Sequence, residues 1–132
     1  MYHKLIIEHD RAPYHYEKRE SADQVIEAYN PLCGDKYKLY LQMEEEVIQT
    51  AYFHGYGCAI SKASTSILVK KIEGLTIATA LELCKQFFAQ LESNHSEATP
   101  DPDFEAFTTV RKFPGRMKCV SLSWDAFTKK HS

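Results

Sequence analysis

Between residues 24 and 54 apolar and polar positions alternate with a period of two, and after residue 60 the spacing lengthens to that of a helix. The alternation is cleanest over Lys36–Gln42, where Tyr37, Leu39 and Leu41 face one way and Lys36, Lys38 and Tyr40 the other. Gln24–Asn30 reads as a preceding strand, with Val25 and Tyr29 on one face and Ile26 and Ala28 on the other. Glu44, Glu45 and Glu46 supply a solvated turn, and Val47–His54 reads as a third strand. Short links between sequential strands favour an antiparallel sheet. Ile60–Ile72 predicts a helix stopped by Gly74, and Thr76 can cap a second helix running to about Leu91, with Leu83, Phe87 and Leu91 along one stripe. Glu92–Phe104, with Pro100 and Pro102, reads as a loop, and Arg116–Lys129 as a last helix with Met117, Val120, Trp124 and Phe127 inward. Ahead of the strands, residues 2–11 carry Tyr2, Leu5, Ile6 and His9 at helical spacing, ended near Pro13, and a polar stretch runs from Tyr14 to Asp23. Strands first and helices after predict an α+β fold, a three-stranded antiparallel sheet with helices packed on one face.

Composition narrows the class. A chain of 132 residues fits one domain spanning 1–132, with a core able to bury roughly two thirds of the unfolded surface. A net charge of −2 gives no electrostatic footprint for nucleic acid or an anionic membrane. The start has no apolar stretch of signal-peptide length and the apolar runs are too short to span a bilayer, so a cytoplasmic location is expected. In that compartment the 4 cysteines are expected to be reduced, which favours metal binding or thiol chemistry over disulfides.

Three segments carry such chemistry. In Asn30-Pro31-Leu32-Cys33-Gly34-Asp35, Pro31 holds the preceding residue extended and Gly34 lets the chain fold so that a thiolate and a carboxylate address one object. The segment reads equally as a turn with an incidental cysteine. Gly55-Tyr56-Gly57-Cys58 directly precedes a helix, whose N-terminal dipole stabilises a thiolate; the alternative is a small buried hydrophobe. Phe113-Pro114-Gly115-Arg116-Met117-Lys118-Cys119 sets a cysteine beside two cations, which lower a thiol pKa, or is a helix start with solvated basic residues. Three cysteines and one aspartate satisfy tetrahedral zinc, yet the chain has no CxxC pair and the segments are far apart, so spacing alone does not unite them. Cys84 lies mid-helix and reads as packing; His54 is near Cys58 but reads as a strand end.

Together, Asn30–Asp35, Gly55-Tyr56-Gly57-Cys58-Ala59-Ile60-Ser61-Lys62-Ala63-Ser64 and Lys112–Cys119 resemble the three motif blocks of the NifU/IscU-like family, in its SufU branch. The likeness extends from Leu5–His9 to Leu122-Ser123-Trp124. It implies a NifU/IscU-like fold and a role in iron–sulfur cluster assembly. Cys33 is implied as the sulfur acceptor and a metal ligand, with Asp35, Cys58 and Cys119 as the other ligands. Arg116 and Lys118 are implied as partner-binding or thiolate-tuning residues, or are solvated. Lys118 stands where IscU proteins carry a histidine, and Glu92–Phe104 matches an insertion of SufU proteins; both favour a zinc-bound sulfur acceptor over a scaffold for a transient [2Fe–2S] cluster. A purely structural zinc is the third reading. The implied partners are a PLP-dependent cysteine desulfurase of SufS type and a downstream cluster scaffold or apo-protein acceptor.

Overall fold

A computed structural model describes residues 3–92 and 101–131. Its sheet follows from the period-two pattern: β1 (Gln24–Asn30), β2 (Asp35–Glu44) and β3 (Val47–Tyr56) form an antiparallel meander in the order β1-β2-β3. Asn30 pairs with Asp35 at the tip of the first hairpin, and Leu39 pairs with Ile26 on one side and Phe53 on the other. Ile26, Ala28, Tyr37, Leu39, Leu41, Ala51 and Phe53 are buried on the inner face, while Val25 and Tyr29 are exposed. Tyr40 lies on the outer face yet is buried. Glu17 N–H donates to the Phe53 carbonyl (2.9 Å) and Phe53 N–H to the His15 carbonyl (3.1 Å), so the polar stretch after Pro13 forms a strap that satisfies the free edge of β3.

The helices are α1 (Lys4–Arg11), α2 (Ala59–Ile72), α3 (Ile77–Glu92), α4 (Pro102–Thr108) and α5 (Met117–Lys130), with short 3-10 turns at Thr109–Lys112 and Pro114–Arg116. Helix α2 packs on β3 and α5 on β1, and the two helices touch each other. Helix α2 is buried on most of its surface, hydroxyls included: Ile60, Ala63, Ile67, Leu68, Val69 and Ile72 lie beside Ser61, Ser64, Thr65 and Ser66. Buried hydroxyls require partners. Ser64 Oγ donates to the Val120 carbonyl (2.5 Å) and accepts from Trp124 Nε1 (2.9 Å), and Thr65 Oγ1 lies 2.7 Å from Ser123 Oγ. These bonds fix the rotation of α5 against α2, and hence the direction in which Cys119 points. Beyond them Trp124 stacks on Phe87 at 3.8 Å.

One expectation is corrected. Glu92–Phe104 is not a loop throughout: Glu92 still belongs to α3, and α4 starts at Pro102. Asp101 caps that helix by accepting from Asp103 N–H (2.9 Å), and Pro102 occupies its first turn, where a missing N–H costs nothing. Phe104 and Phe107 are thereby carried into the core against Phe87. Residues 93–100 of the expected insertion, and Tyr2 of the expected first helix, lie outside the described residues. Among the described residues no helix is long and apolar enough to cross a membrane.

Candidate metal centre

The β1–β2 turn sets the first two side chains. Asn30 Oδ1 accepts from Leu32 N–H (3.1 Å), and the Asn30 carbonyl accepts from Cys33 N–H (3.3 Å) and Gly34 N–H (2.8 Å). Gly34 sits at φ +76°, a conformation glycine adopts without strain. The turn pushes Leu32 and Cys33 into solvent, then returns Asp35 to the inner face, where it is 2 % exposed. A thiol and a carboxylate two residues apart thus differ completely in solvation.

The β3–α2 junction brings in the next. Cys58 is the N-cap of α2, and its N–H donates to Asp35 Oδ1 (3.0 Å). A Cβ on Gly57 would lie 2.6 Å from Asp35 Oδ1, 2.5 Å from the Tyr37 hydroxyl and 2.6 Å from Ser61 Oγ. Only a glycine lets the peptide come this close to the carboxylate. The start of α5 delivers Cys119, which is buried. Burial pushes its thiol pKa up, and the neighbouring Cys58 and Asp35 push it further in the same direction.

The ligand atoms of Cys33, Asp35 and Cys119 all lie within 4.8 Å of one another. Cys58 lies beside this group rather than in it: its sulfur is 3.7 Å from Ser61 Oγ. Asp35 Oδ2 is buried and has no hydrogen-bond partner among the described residues. An unsatisfied buried carboxylate oxygen is costly, and a cation facing it removes the cost. Thiolate sulfurs with one carboxylate are a donor set that suits zinc, and thiolates also suit iron–sulfur clusters. The residues present therefore fit a metal ion.

The remaining residues fall outside the group. Arg116 and Lys118 are exposed at the start of α5, and Lys118 lines a cavity of about 210 Å³ with Tyr29, Asn30 and Asp125. His54 lies on the outer sheet face with its ring against Tyr16. Cys84 is buried in α3, and burial pushes its thiol pKa up to about 11. Sequence reasoning did not single out Tyr37 and Ser61, which lie directly beneath Cys58. The signals were the inward phase of Tyr37 on β2 and the placing of Ser61 one helical turn after Cys58.

The family model described as "NifU-like N terminal domain" matches residues 1–127. The zinc-dependent sulfurtransferase SufU of Bacillus subtilis (strain 168) is 35% identical over 130 residues, covering 98% of this chain and 88% of the relative. The iron–sulfur cluster assembly scaffold protein IscU of Streptococcus pyogenes serotype M1 is 31% identical over 127 residues, covering 96% of this chain and 79% of the relative. Among solved structures, a SufU from Fervidobacterium islandicum AW-1, described as a cluster assembly scaffold for the SUF system, superposes with TM-score 0.87 at 31% identity, covering 96% of this chain and 93% of that one. The chain belongs to the NifU/IscU-like family of iron–sulfur cluster assembly proteins and is similar in sequence to SufU over nearly its whole length.

Proposed function

We propose that the protein is a zinc-bound sulfur acceptor of SufU type that takes persulfide sulfur onto Cys33 from a cysteine desulfurase. The observation that carries this reading is the contrast within one group of ligand atoms. Cys33 is exposed on a turn, while Asp35 and Cys119 are buried behind it, with one carboxylate oxygen left without a donor among the described residues. Asp35, Cys58 and Cys119 would hold the ion from the protein side, and Cys33 from the solvent side. Zinc bound there supplies a redox-inert positive charge that favours the thiolate form of its ligands.

In this reading the Cys33 thiolate attacks the outer sulfur of a persulfide on the partner's cysteine. A sulfur–sulfur bond forms to Cys33, the partner's sulfur–sulfur bond breaks, and the partner leaves as a thiolate; no external oxidant or reductant is consumed. Leu32, the chain neighbour of Cys33 and 81 % exposed, gives that cysteine an apolar flank for a docked protein. In this reading Arg116 and Lys118, exposed at the start of α5, contact that partner or tune the thiolate. The sulfur then passes to a downstream scaffold or apo-protein, in the cytoplasm.

The likeness to IscU proteins supports a second reading, a scaffold for a [2Fe–2S] cluster. Metal and acid-labile sulfide analysis of anaerobically purified protein separates the two. The first reading expects a colourless protein with one zinc per chain; a brown, iron- and sulfide-containing protein would favour the second. Cys33→Ala is expected to abolish stimulation of desulfurase turnover, and full stimulation by that variant would rule out the acceptor role.

A further inference from the structure

The proposed function gives Cys33 and Cys58 different duties, since both would meet the metal but only one accepts sulfur. We infer that Tyr37 and Ser61 form a hydroxyl pair that positions the Cys58 sulfur as a retained ligand, leaving Cys33 as the sulfur free to react. The inference rests on the sulfur-acceptor reading and adds two positioning residues to it.

Both residues are fully buried. The Tyr37 hydroxyl lies 2.9 Å from Ser61 Oγ, and Ser61 Oγ donates to the Cys58 carbonyl (3.1 Å). The same oxygen accepts from the Cys58 thiol, with Oγ and Sγ 3.7 Å apart. A serine hydroxyl has one proton and two lone pairs. With that proton on the Cys58 carbonyl, the Tyr37 hydroxyl is the donor into Ser61.

A sulfur that ligates a metal carries its charge as a thiolate and accepts hydrogen bonds. Ser61 already reaches both the carbonyl and the sulfur of Cys58, so a rotation about its side-chain torsion moves its proton from one to the other. Tyr37 keeps the oxygen in place during that rotation. Outer-shell donors of this kind orient ligands and tune the metal. Gly57 completes the cradle, since Tyr37, Asp35 and Ser61 all close on it. Among the described residues Cys33 has no such support: its backbone N–H donates to the Asn30 carbonyl (3.3 Å), and its side chain is exposed.

The test is site-resolved alkylation of the zinc-loaded protein with iodoacetamide, followed by peptide mass mapping. Wild type, Ser61→Ala, Tyr37→Phe and the double variant are compared, with absorption spectra of their cobalt-substituted forms. In wild type Cys33 is expected to react well before Cys58. Ser61→Ala is expected to raise the Cys58 rate by about tenfold, to leave the Cys33 rate unchanged, and to shift the thiolate-to-cobalt band. Tyr37→Phe, which keeps the ring and the packing, is expected to act in the same direction and to add nothing in the double variant. Unfolding of the metal-free variants, followed alongside, separates loss of fold from loss of the hydrogen bond. Unchanged Cys58 reactivity and an unchanged cobalt spectrum in both single variants would overturn the inference while Cys33 stays fastest. If instead Cys33 is as slow as Cys58 in wild type, the sulfur-acceptor reading itself fails.

Discussion

Asp35 is where the physical chemistry of the centre is most exposed to test. Its Oδ1 is satisfied by Cys58 N–H, and its Oδ2 is buried without a donor among the described residues. Asp35→Asn keeps the shape and removes the charge. We expect opposite effects on the two forms: the metal-free protein gains up to about 1 kcal/mol in urea unfolding, because a buried unpaired carboxylate is gone. Zinc affinity, measured by chelator competition, falls at least about tenfold. Equal affinity for the two proteins would remove Asp35 from the ligand set. Gly57→Ala places a methyl group against Asp35, Tyr37 and Ser61 at once. It is expected to lower zinc affinity by a similar factor, read by the same competition. The turn that carries Cys33, Gly34 and Asp35 was legible in the sequence because its conformation is local. Tyr37 and Ser61 were not, because a hydroxyl gains meaning only from what the fold sets opposite it.

At the scale of elements, α4 shows how a turn signal can also be a helix start. Pro102 was read as part of a loop, yet proline is well suited to a first helical turn. Asp101 caps the helix, and Lys71 Nζ bridges Asp101 (2.9 Å) and Asp103 (2.8 Å). Asp101→Ala is expected to cost about 1–2 kcal/mol in chemical unfolding while leaving zinc affinity unchanged, since α4 does not touch the centre. The strap over β3 carries a pH signature. The Tyr14 hydroxyl donates to Glu73, and this bond, with burial, raises the phenol pKa to about 12. A raised pKa in the folded state means that the contribution is complete below the unfolded value near 10 and is lost as pH rises toward 12. Tyr14→Phe should therefore be less stable than wild type at pH about 8, with the difference closing between about 10 and 12. A difference constant across that range would show that Tyr14 acts through packing alone. The strap itself escaped the sequence pattern because its order comes from the edge of β3, a partner many residues away.

Taken whole, the molecule uses three distant segments to build one centre: the β1–β2 turn, the β3–α2 junction and the start of α5. The strands and the long helices were legible because their apolar periods are strong, and the inner face of β2 appears as the alternation requires. The joining of Cys33 to Cys119 was not legible from spacing; it depends on α5 packing on α2 through Ser64, Thr65, Ser123 and Trp124. A ligand spanning such segments binds the folded state alone, so zinc at about 100-fold above its Kd should add about 2.7 kcal/mol of stability, and a chelator should remove it. The central claim is that Cys33 accepts sulfur while its neighbours retain the metal. Native mass spectrometry tests it directly after incubation with a cysteine desulfurase and cysteine. The account predicts a chain that keeps its zinc and gains the mass of one added sulfur, mapped to Cys33; sulfur on Cys58, Cys84 or Cys119, or none on any cysteine, would contradict it.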